Sequence, residues 1–281
     1  MEIHYLYNEI DLNESASVEE LKSIIKIFSN RIGIELVVNG SMARYLQELF
    51  NGKKADIVKI PLDIDVDIQN TSYSEEELTN IVNQVICSFN ANYEVVKVNL
   101  INDKNVSSIR NVKYNIYDSD KNWFTKLDIF LKRHDTVEIL SIDKSNIQVV
   151  PKAYQIAGKI SILTDSRIAK GELEGRRKDL TELYIYTFYN VKSFNIIEQI
   201  KNRRLPLHKI ENFKRNKERL ELAYKEAVQL GKVIPDKGVT FRKIFNRVLS
   251  FIEPIAEQKF KAEDKFTYWD STQSMWITKG E

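Results

Sequence analysis

Apolar and polar positions along this chain follow two different periods, and the dominant one changes near residue 150. Ser17-Val18-Glu19-Glu20 has the make-up of a capping box, and Leu21, Ile24, Ile25 and Phe28 then recur at helical spacing. That spacing predicts a helix running to about Arg31 and closed by Gly33. The apolar run Leu36-Val37-Val38 predicts a strand leading into an Asn39-Gly40-Ser41 turn. A helix is expected from Met42 to about Asn51, with Gly52 ending it. Period-two alternation follows, with Leu62, Ile64, Val66 and Ile68 on one face and Asp63, Asp65 and Asp67 on the other. Ser74-Glu75-Glu76-Glu77 is a second capping box, opening a helix to about Asn90. Strand-like runs are expected at 93–100, 109–117, 124–131 and 137–142. Beyond Pro151 helical periodicity is expected to dominate to the end, with the segment from Trp269 to Glu281 forming a partly docked tail. Mixed strands and helices followed by segregated helices make an α+β pattern. Its boundary lies near Val150-Pro151, where no Gly/Ser-rich linker intervenes.

The aspartate ridge is hard to explain by stability. Three carboxylates on one strand face repel one another, whereas a divalent cation would gather them, since magnesium takes oxygen ligands and bridges to phosphates. A Gly-Ser turn at a helix start offers backbone N–H groups and a hydroxyl to phosphate oxygens. Taken singly, the turn reads as an ordinary tight turn and the ridge as a solvated strand face. In this order, on a strand–turn–helix–strand frame, they form a kit for nucleotidyl transfer, in which two metals can stabilise the attacking and leaving oxygens.

Composition adds mainly exclusions. The 281 residues carry a net charge of +2, so any attraction for nucleic acid must be local. One cysteine, Cys87, expected on the apolar side of its helix, leaves neither an internal disulfide nor a Cys/His metal cluster and fits a reducing cytoplasm. Neither a signal peptide nor a membrane span is expected.

These residues resemble the polymerase-beta-like nucleotidyltransferases, whose first motif is a Gly-Ser or Gly-Gly turn and whose second is Asp-x-Asp or Asp-x-Glu on a strand. The resemblance implies a mixed sheet with flanking helices over residues 1–150, a nucleotidyltransferase domain, followed by a helical region over 151–281. It aligns Asp63 and Asp65 with the metal-binding pair, with Asp65 and Asp67 as the alternative pair. It also asks for a third carboxylate from a later strand, which Asp128 in Trp123-Phe124-Thr125-Lys126-Leu127-Asp128-Ile129-Phe130 supplies. The stretch from about Gln47 to Ile60, basic at Lys53, Lys54 and Lys59, is longer than usual for the superfamily. It either shapes the substrate rim or forms a longer loop.

The segment from Ala153 to Tyr186 is similar to the third and fourth motifs of AbiEii-type nucleotidyltransferase toxins. Lys159 matches the family's helix-borne lysine, Arg167 the arginine that follows, and Asp179 the first aspartate of a basic-Asp-Leu-x-Asp-Leu segment. Glu182 stands where a second aspartate is common, and Gly40-Ser41 departs from the commoner Gly-Gly-Thr. The resemblance implies that Asp63, Asp65 and Asp128 hold two magnesium ions, or manganese in their place. Asp128 would also take the proton of the attacking hydroxyl. Gly40 and Ser41 would hold terminal phosphates, and Lys159, with Arg167, would bind the triphosphate. Asp179 would orient Lys159 or act near the acceptor. The activity implied is transfer of a nucleoside monophosphate from an NTP to RNA, above all tRNA, or to a protein hydroxyl, with an antitoxin encoded nearby. A small-molecule (antibiotic) nucleotidyltransferase and a degenerate nucleotide-binding module share the first motifs.

From Lys192 to Arg219 the chain is basic, and aromatic residues flank it at Tyr184, Tyr186, Phe188, Tyr189 and Phe194 and again at Phe241 and Phe245. That pattern suits a nucleic-acid surface with stacking platforms, and equally a helical bundle with its rings inside and its charges outside.

Overall fold

The computed structural model describes residues 16–31, 33–52, 55–59, 61–98, 111–166, 173–260 and 265–278. They form two compact units, one built from the chain up to Asn51 together with 60–150, the other from 52–59 together with 151–281.

The first unit is a mixed sheet with helices. Helix α1 (Val18–Ser29) begins at the Ser17 capping box, in which the Ser17 hydroxyl accepts from the Glu20 N–H and the Glu20 carboxylate accepts from the Ser17 N–H. Strand β1 (Leu36–Asn39) runs into helix α2 (Gly40–Asn51). The short strand β2 (Ile57–Val58) belongs to the second unit. Strand β3 (Asp63–Ile68) precedes helix α3 (Glu75–Phe89), which starts at the second capping box. Strands β4 (Glu94–Val98), β5 (Asn111–Tyr117), β6 (Trp123–Leu131), β7 (Glu138–Ile142) and β8 (Ser145–Val149) complete the unit. The spatial order is β4-β5-β6-β3-β1-β8-β7. Pairings β3–β6 and β1–β8 are parallel and the others antiparallel. The expected elements are present within a residue or two of their predicted ends. The hairpin partner β8 went unpredicted, and parts of the runs at 93–100 and 109–117 lie outside the described residues.

Alternation sorts the two faces of the sheet. Val112, Tyr114 and Ile116 of β5 and Leu127 and Ile129 of β6 are buried with Ile64 and Val66 of β3. Leu21, Ile24, Ile25 and Phe28 of α1 and Leu78, Val82, Val85 and Ile86 of α3 are buried too. Each such side chain contributes about 1.5–3 kcal/mol by leaving water, so register is firmly specified: a one-residue slip would put the aspartates into the core. Cys87 does not share that core. It is exposed on α3, because the helix's buried residues recur at 78, 82, 85 and 86 and leave position 87 on the outer side.

The second unit is mostly helical: α4 (Lys152–Thr164), α5 (Leu173–Tyr186), α6 (Ser193–Asn202), α7 (Ile210–Arg215), α8 (Lys217–Gln229) and α9 (Phe241–Ala256). Helical periodicity does not run to the end, however. Strands β9 (Val191–Lys192), β11 (Thr267–Asp270) and β12 (Met275–Thr278) form a small sheet, and β10 (Ile234–Pro235) pairs with β2. Trp269 is fully buried and its indole N–H donates to the Thr187 carbonyl, so the expected docked tail is a core hairpin. The stretch after α2 is also more than a loop. Ile57 joins the second unit's core, and Asp56 accepts from the Tyr184 hydroxyl and the Lys243 ammonium, each at 2.6 Å.

Candidate active site

The turn and the aspartates meet because of the sheet order. β1 lies directly beside β3, pairing Asn39 with Asp65, and β3 lies directly beside β6, pairing Asp65 with Asp128 and Asp63 with Lys126. Side chains on one face of adjacent strands at such positions are near neighbours. Gly40, at the mouth of α2, has φ +60°, and a Cβ there would lie 2.2 Å from Asp65 Oδ2. Both the backbone conformation and the close carboxylate therefore require glycine. The Ser41 hydroxyl is 3.4 Å from Asp63 Oδ1, at the long end of a hydrogen bond.

Charge is concentrated here. Burial, reinforced by the charges of Asp63 and Asp128, raises the Asp65 carboxyl from its usual value near 4 to about 7. Asp128 is 5% exposed, and its Oδ1 has no hydrogen-bond partner among the described residues. A buried carboxylate oxygen left bare is costly. Its other oxygen, Oδ2, faces two ammonium groups, Lys126 at 3.1 Å and Lys113 at 3.6 Å. Lys126 also lies 3.8 Å from Asp63 Oδ2. No three acidic, histidine or cysteine side chains of the described residues already surround a common point as a finished ligand set. The donor set nonetheless suits a hard divalent cation, because it is all oxygen, excess negative charge and one unpartnered buried acceptor.

Asp67 shares the ridge but has different surroundings. It is 1% exposed, its Oδ2 lies 2.6 Å from His134 Nε2, and it accepts from the Asn39 amide at 3.2 Å. Asn39 Oδ1 in turn accepts the Gly40 N–H at 2.8 Å. Asp67 thus anchors the turn from behind, and between the two alternative pairs this geometry favours Asp63 with Asp65. His134, Lys113 and Lys126 went unpredicted. His134 and Lys113 carry no local signal, since only strand register brings them in. Lys126 was legible in principle, two residues before Asp128 in an alternating strand and hence on the same face.

In the second unit Lys159 of α4 is 3.2 Å from Asp179 Oδ1 and is ion-paired with Glu182, both on α5. Glu182 also pairs with Lys59. All but Asp179 are at least nine-tenths buried. Arg167 lies outside the described residues, as do Lys53, Lys54 and Ile60. Most of the flanking rings are core residues: Tyr184, Tyr186, Tyr189, Phe241 and Phe245 are buried, and Phe213 stacks on Phe245, while Phe188 and Phe194 are half-buried. The buried rings do not offer bases a stacking platform. No helix among the described residues is long and apolar enough to cross a membrane.

No protein-family profile matches the chain, and no curated protein matches it. Among solved structures it is similar to JHP933 from Helicobacter pylori, at 15% identity and TM-score 0.48, over 89% of this chain and 95% of that one. An H. pylori chain provisionally named a nucleotidyltransferase gives 16% identity and TM-score 0.48, over 90% and 99%. An antigenic nucleotidyltransferase-like protein from Paracoccidioides brasiliensis gives 14% and 0.38, over 81% and 99%.

Proposed function

We propose that this protein is a metal-dependent nucleotidyltransferase that moves a nucleoside monophosphate from an NTP to an acceptor hydroxyl and releases pyrophosphate. The observation that carries this reading is the convergence of Asp63, Asp65 and Asp128 beside the Gly40-Ser41 turn, with one oxygen of Asp128 buried and bare. Those three carboxylates would hold magnesium, or manganese in its place. The ion's contribution when bound is to neutralise charge on the triphosphate and on the attacking and leaving oxygens.

The chain's own residues supply the rest. Gly40 lets the backbone approach closely, and the amides opening α2, with the Ser41 hydroxyl, are suited to phosphate oxygens. The new bond joins the acceptor oxygen to the α-phosphorus, and the bond to the β-phosphate's bridging oxygen breaks. Asp128 takes the hydroxyl proton. Asp67, through Asn39, keeps the turn in place. In the second unit Lys159 is held by Asp179 and Glu182.

The finer assignment is an AbiEii-type toxin acting in the cytoplasm on RNA, above all tRNA, or on a protein, with an antitoxin encoded nearby. It is supported by the order of Lys159, Asp179 and Glu182 in the sequence and by their mutual ion pairs. Incubation with labelled NTPs, magnesium and total tRNA or cell extract tests it. Label should appear in RNA or protein and vanish with Asp65→Asn. No transfer with all four nucleotides and metal supplied would overturn the reading.

A further inference from the structure

Two features of the acidic cluster do not belong to a nucleotide or to an acceptor. A lysine lies among the carboxylates that would hold metal, and it bridges two of them. Lys126 sits on β6 opposite Asp63 in register and two residues before Asp128, so one side-chain face carries all three. Its ammonium lies 3.1 Å from Asp128 Oδ2 and 3.8 Å from Asp63 Oδ2. Its side chain is two-thirds buried, with a relative exposure of 33%. Lys113 approaches the same Asp128 oxygen from the neighbouring strand at 3.6 Å but makes no contact this close to Asp63.

We propose that Lys126 is a built-in counter-ion of the acidic site, holding Asp63 and Asp128 together in the metal-free protein and competing with the divalent cation for the same oxygens. The proposal rests on the metal-dependent reading above. Like charges gathered on one partly buried face repel, and a positive charge between them relieves this. A divalent cation does the same with twice the charge, but a cation and an ammonium cannot both contact one carboxylate oxygen without repelling each other. Metal entry therefore requires the lysine to give up these contacts. Its flexible four-carbon stem allows that movement with the backbone of β6 fixed. The result is an acidic site that stays folded without metal and binds metal more weakly than its carboxylates alone would.

Manganese titration of the full chain by calorimetry, with melting curves in chelator and in excess metal, tests this. Lys126→Met should bind manganese at least about tenfold more tightly than the wild type. It should melt lower in chelator, with the gap closing when metal is added. Lys126→Arg, which keeps the charge, should bind like the wild type. Lys126→Gln provides the same reading should the methionine variant fail to fold. Unchanged or weaker binding by the neutral variants, in a wild type that does bind manganese, would overturn the counter-ion role and leave the metal site standing. A wild type that binds no manganese would overturn both.

Discussion

Two charged clusters, one in each unit, differ in how far they satisfy themselves. In the second unit Lys59 and Lys159 share Glu182, and Asp179 supports Lys159, so two ammonium groups meet two carboxylates in a largely buried setting. In the first unit three carboxylates meet two ammonium groups, one carboxyl is pushed up to about 7, and a buried oxygen of Asp128 is bare. Charges placed for stability find partners within the fold. A cluster that the fold leaves frustrated, on a face where polar side chains face away from the core, is built for something that arrives from outside. That contrast, rather than the mere presence of aspartates, supports the proposal that the first cluster is the reaction centre.

Breaking each cluster should therefore have opposite consequences. Asp65→Asn removes a proposed metal ligand and should lower the transfer rate by about 10³-fold or more, on the scale of one lost electrostatic element of an active site. It should leave the melting temperature in chelator unchanged or higher, because it relieves repulsion. Glu182→Gln strands two buried lysines and should cost about 3 kcal/mol or more of stability, read from denaturant unfolding, with no recovery on adding metal.

A milder perturbation is pH. Asp65 has its folded carboxyl raised above the ordinary value near 4, opposite to a salt-bridged carboxylate. Its contribution to metal-free stability is thus present below pH 4 and lost as pH rises toward 7. Metal needs the deprotonated form, so apparent manganese affinity should fall by up to about tenfold per pH unit below 7, with proton release on binding. Calorimetry in two buffers of different ionisation enthalpy checks both. The smallest effect should come from Asp67→Asn. It loosens the His134 and Asn39 contacts, costs on the order of 1 kcal/mol of stability, and changes manganese affinity less than threefold. A collapse of affinity there would move the metal pair to Asp65 and Asp67.

Much of this architecture is legible in the chain because local rules decide it. Capping boxes at Ser17 and Ser74 and the alternation of Asp63 to Ile68 fix elements without tertiary help. The Asp128 strand was readable from the same alternation. What stayed hidden depends on register or distant packing. Asp67 is indistinguishable from Asp65 by pattern, and contacts such as that with His134, 67 residues away, separate them. Lys59 looked like part of a basic loop until Glu182 claimed it. The aromatic residues around the basic segment fitted two readings equally, and burial of Phe241 and Phe245 decided for the core. Trp269 near the chain end gave no periodic signal, since its two-strand hairpin is short.

The most direct test of the account is where a cation sits. Crystals soaked in manganese, with anomalous differences recorded, should show a peak at bonding distance (about 2.1 Å is the magnesium value) from oxygens of Asp63, Asp65 and Asp128. Lys126 should be turned away and Asp67 still on His134. An empty acidic face at saturating manganese, or a peak bound by Asp67 without Asp63, would contradict it.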